Sequence, residues 1–135
     1  MNSYKLFTDG GSRGNPGPAA IGGQILNGDE QIETFNEYIG SSTNNIAEYS
    51  ALIKGLTLAA EKNITDIECF LDSELVVKQV LGIYKVKDEK MKILHKQVSD
   101  LKSKFKTLKF THVLRAKNSV ADKLVNTALD TASAK

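Results

Sequence analysis

Four acidic residues of this chain stand beside small or amide side chains, each at the end of a predicted strand or in the first turn of a predicted helix: Asp9, Glu48, Asp72 and Asp122. Side chains at such places can converge without being buried in a core. Four converging carboxylates repel one another, at a cost of roughly 3 kcal/mol per pair at ~5 Å and an effective dielectric of about 20. Cations must offset that repulsion, so the pattern predicts a divalent-metal site.

Asp9 and Asp72 also have a simpler, local explanation. Asp9 precedes Gly10-Gly11, where an aspartate can open a turn. Asp72 ends an apolar strand and Ser73 begins a helix, a junction at which aspartate is a common N-cap. The same junction lies at the carboxyl end of a strand, where open sheets place their ligands. For each residue taken alone, both interpretations stay open.

Glu48 and Asp122 each stand three residues after a candidate helix N-cap. With Asn45 as N-cap, Glu48 takes the third helical position, and Ser119 does the same for Asp122, so both pairs fit a capping box. For Glu48 alone, capping is the stronger interpretation. On a helical wheel, however, Glu48 lies at the rim of the apolar stripe, from which it can point along the sheet toward Asp9.

The hydrophobic periodicity predicts nine elements in the order β-β-β-α-β-α-α-β-α. The predicted strands are 4–9, 19–26, 31–39, 64–71 and 107–113, and the predicted helices are 45–61, 73–81, about 87–105 and 120–132. Asn27-Gly28 is a hairpin signal, and strands joined so closely are antiparallel. We therefore predict one α/β domain over residues 1–135. Its mixed five-stranded sheet has three antiparallel strands, then two parallel ones, with helices on both faces.

Length and composition exclude several classes of protein. The chain has 135 residues, 41% of them hydrophobic, which suits one globular domain. Its apolar runs are shorter than the roughly 18 residues of a membrane span, and its N-terminus has no signal-peptide pattern. Cys69 is the only cysteine, which excludes an internal disulfide and, with only two histidines, argues against structural zinc. We expect a cytoplasmic, monomeric protein that does not bind membranes.

The charge is unevenly distributed. The net charge is +2, yet the segment from Lys85 to Lys109 has nine lysines and three acidic residues and so carries +6. A basic segment beside an acidic site suits a phosphate-backbone ligand. The alternative is an ordinary solvated helix face.

Four motifs in order give the chain its resemblance to the type 1 ribonuclease H family, over nearly its whole length from Leu6 to Leu129. They are Phe7-Thr8-Asp9-Gly10-Gly11-Ser12 with Gly14-Asn15-Pro16-Gly17, Thr43-Asn44-Asn45 with Glu48, Asp72-Ser73, and Asn118 with Ala121-Asp122. Any one alone is weak, but four in the right order and spacing are specific. The chain resembles the compact members, which lack the family's basic, Trp-containing protrusion, since it has no Trp.

The resemblance implies an endoribonuclease that cuts the RNA strand of RNA–DNA hybrids and leaves 5′-phosphate and 3′-hydroxyl ends. It assigns Asp9, Glu48, Asp72 and Asp122 as catalytic ligands of two Mg²⁺ ions, with Mn²⁺ as a second candidate. Asp9 would bridge both ions, Asp72 and Asp122 would flank them, and Glu48 would also reach a 2′-hydroxyl. The chemistry is consistent, because two cations ~3.5–4 Å apart can serve both the attacking and the leaving oxygen.

The family's hybrid contacts also map onto this chain. The resemblance implies that backbone groups of the first loop read RNA 2′-hydroxyls, that three Asn positions touch the minor groove, and that a threonine lines a DNA-phosphate pocket. The substrate-binding residues so assigned are Gly10, Gly11, Ser12, Asn15, Thr43, Asn44, Asn45, Ser73, Arg115 and Asn118. For Asn44-Asn45, a loop and N-cap pair is the alternative.

The chain departs from the family pattern at two places. Many members have a histidine before the last acidic residue, but none stands between Val113 and Ala121 here. Arg115 is the nearest substitute and Lys117 another, so we predict that Arg115→Ala lowers turnover while leaving metal binding intact. In place of the absent protrusion, we hypothesise that Lys85 and Lys87 grip the DNA strand.

Three other functions remain open from the sequence alone. The chain could be a nuclease of the same fold that prefers double-stranded RNA, or a catalytically silent hybrid-binding module, although the four carboxylates argue against the latter. It could also be the ribonuclease H segment of a reverse transcriptase. The start at Met1 favours a free-standing enzyme, unless the chain is an excised piece.

Overall fold

A computed structural model describes residues 3–134 of the chain. The strands are β1 (Tyr4–Ser12), β2 (Gly17–Asn27), β3 (Glu30–Ser42), β4 (Asp66–Leu71) and β5 (Thr107–His112). The helices are α1 (Asn44–Glu61), α2 (Glu74–Val80), α3 (Glu89–Lys102) and α4 (Ser119–Ser133), and a short 3₁₀ helix spans Arg115–Lys117. Among the described residues, no helix is long and apolar enough to cross a membrane.

The strands form one mixed sheet in the order β3-β2-β1-β4-β5. β1 is antiparallel to β2 and parallel to β4, which is in turn parallel to β5. This confirms the predicted element order and sheet. Several predicted bounds differ by two or three residues; β1, for example, does not end at Asp9, because Gly10 and Gly11 continue the ladder opposite Ile21 and Ala20. Glycine tolerates extended backbone as readily as a turn, so the Gly-Gly pair does not mark the strand end.

The core is built where α1 crosses β1. Gly10 and Gly55 let the two elements touch closely, since a Cβ on Gly10 would collide with the backbone of Ala47 and one on Gly55 with the Leu6 side chain. Leu6, Leu52 and Leu56 are fully buried in this layer. On the other face, α4 packs over β2 at Gly22, where an added Cβ would meet the Ala121 carbonyl oxygen at 2.9 Å. The glycines therefore set the spacing between the sheet and both helices.

Three helix starts differ from the predicted caps. The Thr43 hydroxyl caps α1 by accepting from the Ile46 amide at 3.2 Å, so Glu48 is the fifth helical residue and not part of a capping box. The Ser73 hydroxyl, not Asp72, caps α2 through the Val76 amide. At α4 the N-cap is Asn118, which makes no side-chain capping bond, so the predicted box between Ser119 and Asp122 is also wrong. None of these acidic side chains therefore serves as a helix cap.

Candidate metal and active site

Three of the four acidic residues converge at one point of the sheet. Thr8 and Leu71 are the last paired residues of parallel strands β1 and β4, so Asp9 and Asp72 follow side by side. Glu48 reaches the same point from α1, which Gly10 allows to lie against β1. Carboxylate oxygens of Asp9, Glu48 and Asp72 all lie within 4.8 Å of one another. The adjacent ends of β1 and β4 and the contact of α1 with β1 together produce this cluster.

Burial changes the electrostatics of this trio. Asp9 and Glu48 are each only 7% exposed. Burial, helped by the charges of Asp72 and Asp122, raises the pKa of Asp9 to about 7. Burial and the neighbouring Asp9 raise the pKa of Glu48 well above its ordinary value, and burial also raises the pKa of Asp72. Each shift records the cost of holding negative charges together away from water.

The donor set fits a hard divalent cation. Glu48 Oε1 accepts a hydrogen bond of 3.3 Å from the Gly10 amide, but no donor among the described residues reaches the buried Oε2 of the same carboxylate. A buried oxygen without a partner is costly, and a cation would satisfy it. Three carboxylates converging on one point supply the oxygen ligands that Mg²⁺ and Mn²⁺ prefer. Asp9, Glu48 and Asp72 are therefore the residues that would hold such an ion.

Asp122 lines the same cleft but lies outside the cluster of three. It stands in the first turn of α4, where its Oδ1 accepts a hydrogen bond of 3.1 Å from Nη2 of Arg115. The cleft has a volume of about 400 Å³. Of the residues assigned from the sequence, those that line it are the four carboxylates with Gly10, Gly11, Ser12, Asn44, Asn45, Ser73 and Arg115.

Asn118 is buried behind the site and does not line the cleft. It is 1% exposed, and its Nδ2 donates to the Thr8 carbonyl oxygen at 2.8 Å and to Asp72 Oδ2 at 3.3 Å. These bonds fasten the start of α4 to the ends of β1 and β4. Its place differs from that expected of a substrate-binding residue, because what it touches in the described structure is the backbone and Asp72.

The predicted hybrid-contact loop is fixed by amide side chains. Asn44 Oδ1 accepts from the backbone amide of Ser12 at 2.8 Å and from its hydroxyl at 3.2 Å. Asn15 Oδ1 in turn accepts from the Asn44 amide at 3.1 Å. Asn15 and Thr43 line a neighbouring groove, which shares Asn45 with the acidic cleft. The loop after β1 and the start of α1 therefore form one connected surface.

Two polar residues of the cleft were missed from the sequence. Arg13 and Asn126 both line it, and Arg13 Nη2 pairs with Asp130 Oδ1 at 2.6 Å. An arginine in a glycine-rich loop was the available signal for Arg13, whereas Asn126 gave none. Lys85 and Lys87 are exposed and do not line the acidic cleft. Lys85 borders a separate groove beside Tyr84 and His95.

The chain matches a family model described as reverse transcriptase-like over residues 7–128. Among curated proteins, it is 42% identical over 130 residues to the bifunctional protein Rv2228c of Mycobacterium tuberculosis. That match covers 95% of this chain and 36% of the relative, so the chain spans about a third of the length of Rv2228c.

Two solved structures are similar over nearly their whole length. RNase H1 of the halophilic archaeon Halobacterium salinarum is 42% identical with a TM-score of 0.92, covering 96% of this chain and 98% of that one. LC11-RNase H1, solved in complex with an RNA/DNA hybrid, is 40% identical with a TM-score of 0.91, covering 96% and 99%. At these identities the two structures resemble this chain in sequence as well as in fold.

Proposed function

The chain belongs to the type 1 ribonuclease H family, and from that premise we propose that it is an endoribonuclease hydrolysing the RNA strand of RNA–DNA hybrids. The observation that carries this proposal is the cluster of Asp9, Glu48 and Asp72 in an open cleft, with a buried Glu48 oxygen that no donor among the described residues reaches. A relative 40% identical to this chain was solved with such a hybrid, which supports the choice of substrate.

We assign the four carboxylates as ligands of two Mg²⁺ ions, with Mn²⁺ as an alternative. Bound there, the ions would activate the attacking water and offset charge on the phosphate and leaving oxygen, so that cleavage leaves 5′-phosphate and 3′-hydroxyl ends. Asp9, Asp72 and Asp122 would hold the ions from the cleft that they line together. Glu48 is positioned by the Gly10 amide and is the candidate contact for a substrate 2′-hydroxyl.

The surface around the carboxylates would hold the hybrid. Gly10, Gly11 and Ser12 line the cleft, and their backbone groups are the candidates for reading 2′-hydroxyls, which distinguish RNA from DNA. The adjoining groove would receive the hybrid backbone; it is lined by Asn15, Thr43 and Asn45. Ser73 and Arg115 line the same cleft as the carboxylates and would contact the hybrid there.

Asn118 and the basic segment act less directly in this proposal. Asn118 positions Asp72 and the end of β1 through its two hydrogen bonds. Lys85 and Lys87, exposed between α2 and α3, would contact the DNA strand in place of the absent protrusion. We further propose that residues 1–135 act as a single, monomeric domain in the cytoplasm. The single buried Cys69 suits such a reducing compartment.

The test is cleavage of an RNA–DNA hybrid labelled on the RNA strand, in Mg²⁺, in Mn²⁺ and in EDTA, with matched RNA–RNA and DNA–DNA duplexes. We expect cutting of the hybrid RNA strand alone, abolished by EDTA. Phosphatase-sensitive 5′ ends on the products would agree with the assigned ends. Equal cutting of double-stranded RNA would replace the proposed substrate. Tight hybrid binding without cutting in either metal would instead identify a binding module.

A further inference from the structure

Asp122 differs from the other three carboxylates in its ion pair with Arg115, although its charge also acts on Asp9. Asp9, Glu48 and Asp72 share a cluster, whereas the Asp122 carboxylate accepts its 3.1 Å hydrogen bond from the Arg115 guanidinium. The Arg115 side chain is 78% exposed and that of Asp122 is 29% exposed. The exposed Arg115 side chain therefore occupies one carboxylate oxygen of Asp122, a proposed metal ligand.

An exposed ion pair of this kind is weak. Such pairs add little to stability, because water screens the charges and two side chains must be ordered. Arg115 begins a short 3₁₀ helix whose N-cap, Leu114, makes no side-chain capping bond. The pair can therefore be separated at little cost, in contrast to the buried contacts of Asp9 and Glu48.

A guanidinium and a divalent cation compete for Asp122 at close range, since their positive charges repel. The Arg115 charge also acts on the rest of the cleft: Asp122 first, and Asp9 and Asp72 after it, raise the pKa of Arg115. A cation entering beside Asp122 must work against that charge. Once displaced, the guanidinium would still lie at the rim of the same cleft, where substrate phosphate is expected.

We propose that Arg115 is a displaceable internal counter-ion of Asp122, which weakens binding of the second divalent cation until the hybrid phosphate draws the guanidinium away. This inference rests on the proposed two-ion site. It also replaces the sequence-based expectation that removing Arg115 leaves metal binding intact. Metal affinity and turnover must then move in opposite directions in Arg115→Ala: the second ion binds more tightly, while the phosphate loses a positively charged partner.

The test is a calorimetric Mn²⁺ titration of the metal-free protein without nucleic acid. In Arg115→Ala we expect the weaker binding step to tighten about fivefold to tenfold, the effect of removing one partly screened charge near the ion. Arg115→Lys keeps the charge and should stay close to the native protein. Asp122→Asn should remove the weaker step, which assigns that step to Asp122.

Arg13→Ala is the matched control, because Arg13 is a second arginine of the same cleft but pairs with Asp130. Equal tightening in Arg13→Ala would make the effect one of general charge and overturn the inference. An unchanged weaker step in Arg115→Ala would overturn it too, while leaving the metal site intact. Failure of the native protein to bind Mn²⁺ at all would contradict the proposed function itself. At saturating Mn²⁺, an undiminished cleavage rate in Arg115→Ala would remove Arg115 from catalysis.

Discussion

The inner and outer halves of the acidic cleft are built on opposite principles. The inner half, Asp9 and Glu48, is 7% exposed at each residue and is set by backbone packing between β1 and α1. The outer half, Asp122 and Arg115, is more exposed and is held by one side-chain ion pair. Backbone packing thus holds the carboxylates of Asp9 and Glu48 close together. At the more exposed Asp122, the Arg115 guanidinium balances the negative charge.

The difference distinguishes carboxylates whose positions are set by backbone packing from those whose positions are set by a nearby positive charge. In the inner half, glycine contacts and burial impose the positions, and the cost is visible as raised pKa values for Asp9 and Glu48. In the outer half, geometry depends on whatever positive charge is available, whether arginine or metal. The inner half is therefore expected to be rigid and essential, and the outer half adjustable.

Replacing one carboxylate in each half gives the largest expected effect. Asp9→Asn removes a ligand of the buried cluster, so we expect hybrid cleavage to fall at least about a thousandfold. Asp122→Asn leaves the buried trio intact and should cost less, about 10- to 100-fold, with part of the loss recovered at high Mn²⁺. Single-turnover cleavage rates across a metal titration measure both. Equal losses in the two variants would remove the distinction between the halves.

Gly10→Ala disturbs the packing that positions the inner half. The added Cβ would collide with the backbone of Ala47, so α1 must shift and carry Glu48 with it. We expect the free energy of unfolding to fall by roughly 1–3 kcal/mol and cleavage to fall with it.

Gly11→Ala is the matched control for that variant. Its Cβ would meet the Val125 side chain at an ordinary 3.8 Å. Urea denaturation of the metal-free proteins compares the two. If both variants were equally stable, the close contact between β1 and α1 would not be what fixes the inner half.

The pH dependence of stability tests the electrostatic cost of the inner half. The pKa of Asp9 rises from 3.8 to about 7 on folding, so the folded chain binds this proton more tightly than the unfolded chain. The contribution of Asp9 to the free energy of unfolding of the metal-free protein is then lost as pH rises from about 4 through 7. We expect thermal midpoints in EDTA to drop by roughly 5 °C between pH 5 and 8, and Mg²⁺ to reverse the drop.

Asp9→Asn is the control for that experiment, since an amide cannot titrate in this range. Its melting temperature should depend less on pH than that of the native protein, and Mg²⁺ should restore less at pH 8. Parallel pH curves for the two proteins would assign the loss to net charge elsewhere on the surface.

The smallest expected effect lies outside both halves, in the basic segment. Replacing Lys85 and Lys87 by alanine should weaken hybrid binding severalfold and reduce the salt slope of log K by about 0.9 for each phosphate that the variant no longer neutralises. Lys104 and Lys106, exposed in the same segment beyond α3, provide the matched double variant. Equal slopes for the two double variants would make Lys85 and Lys87 ordinary solvated residues.

Much of this architecture was readable from the sequence because it depends on local patterns. The alternation of apolar residues and the Asn27-Gly28 turn gave the element order and the mixed sheet. The four acidic motifs, through their family resemblance, gave the candidate ligands. The helix caps were mispredicted, since Asn45, Asp72 and Ser119 were all plausible caps by type and only the folded backbone selects among neighbours.

The contacts that tertiary structure alone decided join residues far apart in the chain. Asn118 donates a hydrogen bond to the Thr8 carbonyl oxygen, 110 residues away in sequence, and Asn44 accepts one from the Ser12 amide, 32 residues away. The motifs marked both asparagines as substrate-binding residues but gave no sign of these partners within the protein. The pairing of Arg115 with Asp122 is closer in sequence, yet it forms because the 3₁₀ helix turns the arginine back toward α4.

The sequence by itself thus determined which chemistry is available, because residue types and short-range spacing carry that information. The folded chain decided how the four carboxylates are divided. Backbone packing through glycine brings three of them together at the end of β1 and β4, and burial raises their pKa values. The fourth, Asp122, is more exposed and pairs with Arg115. Burial and distance are properties of the assembled sheet and helices, so this division exists only in three dimensions.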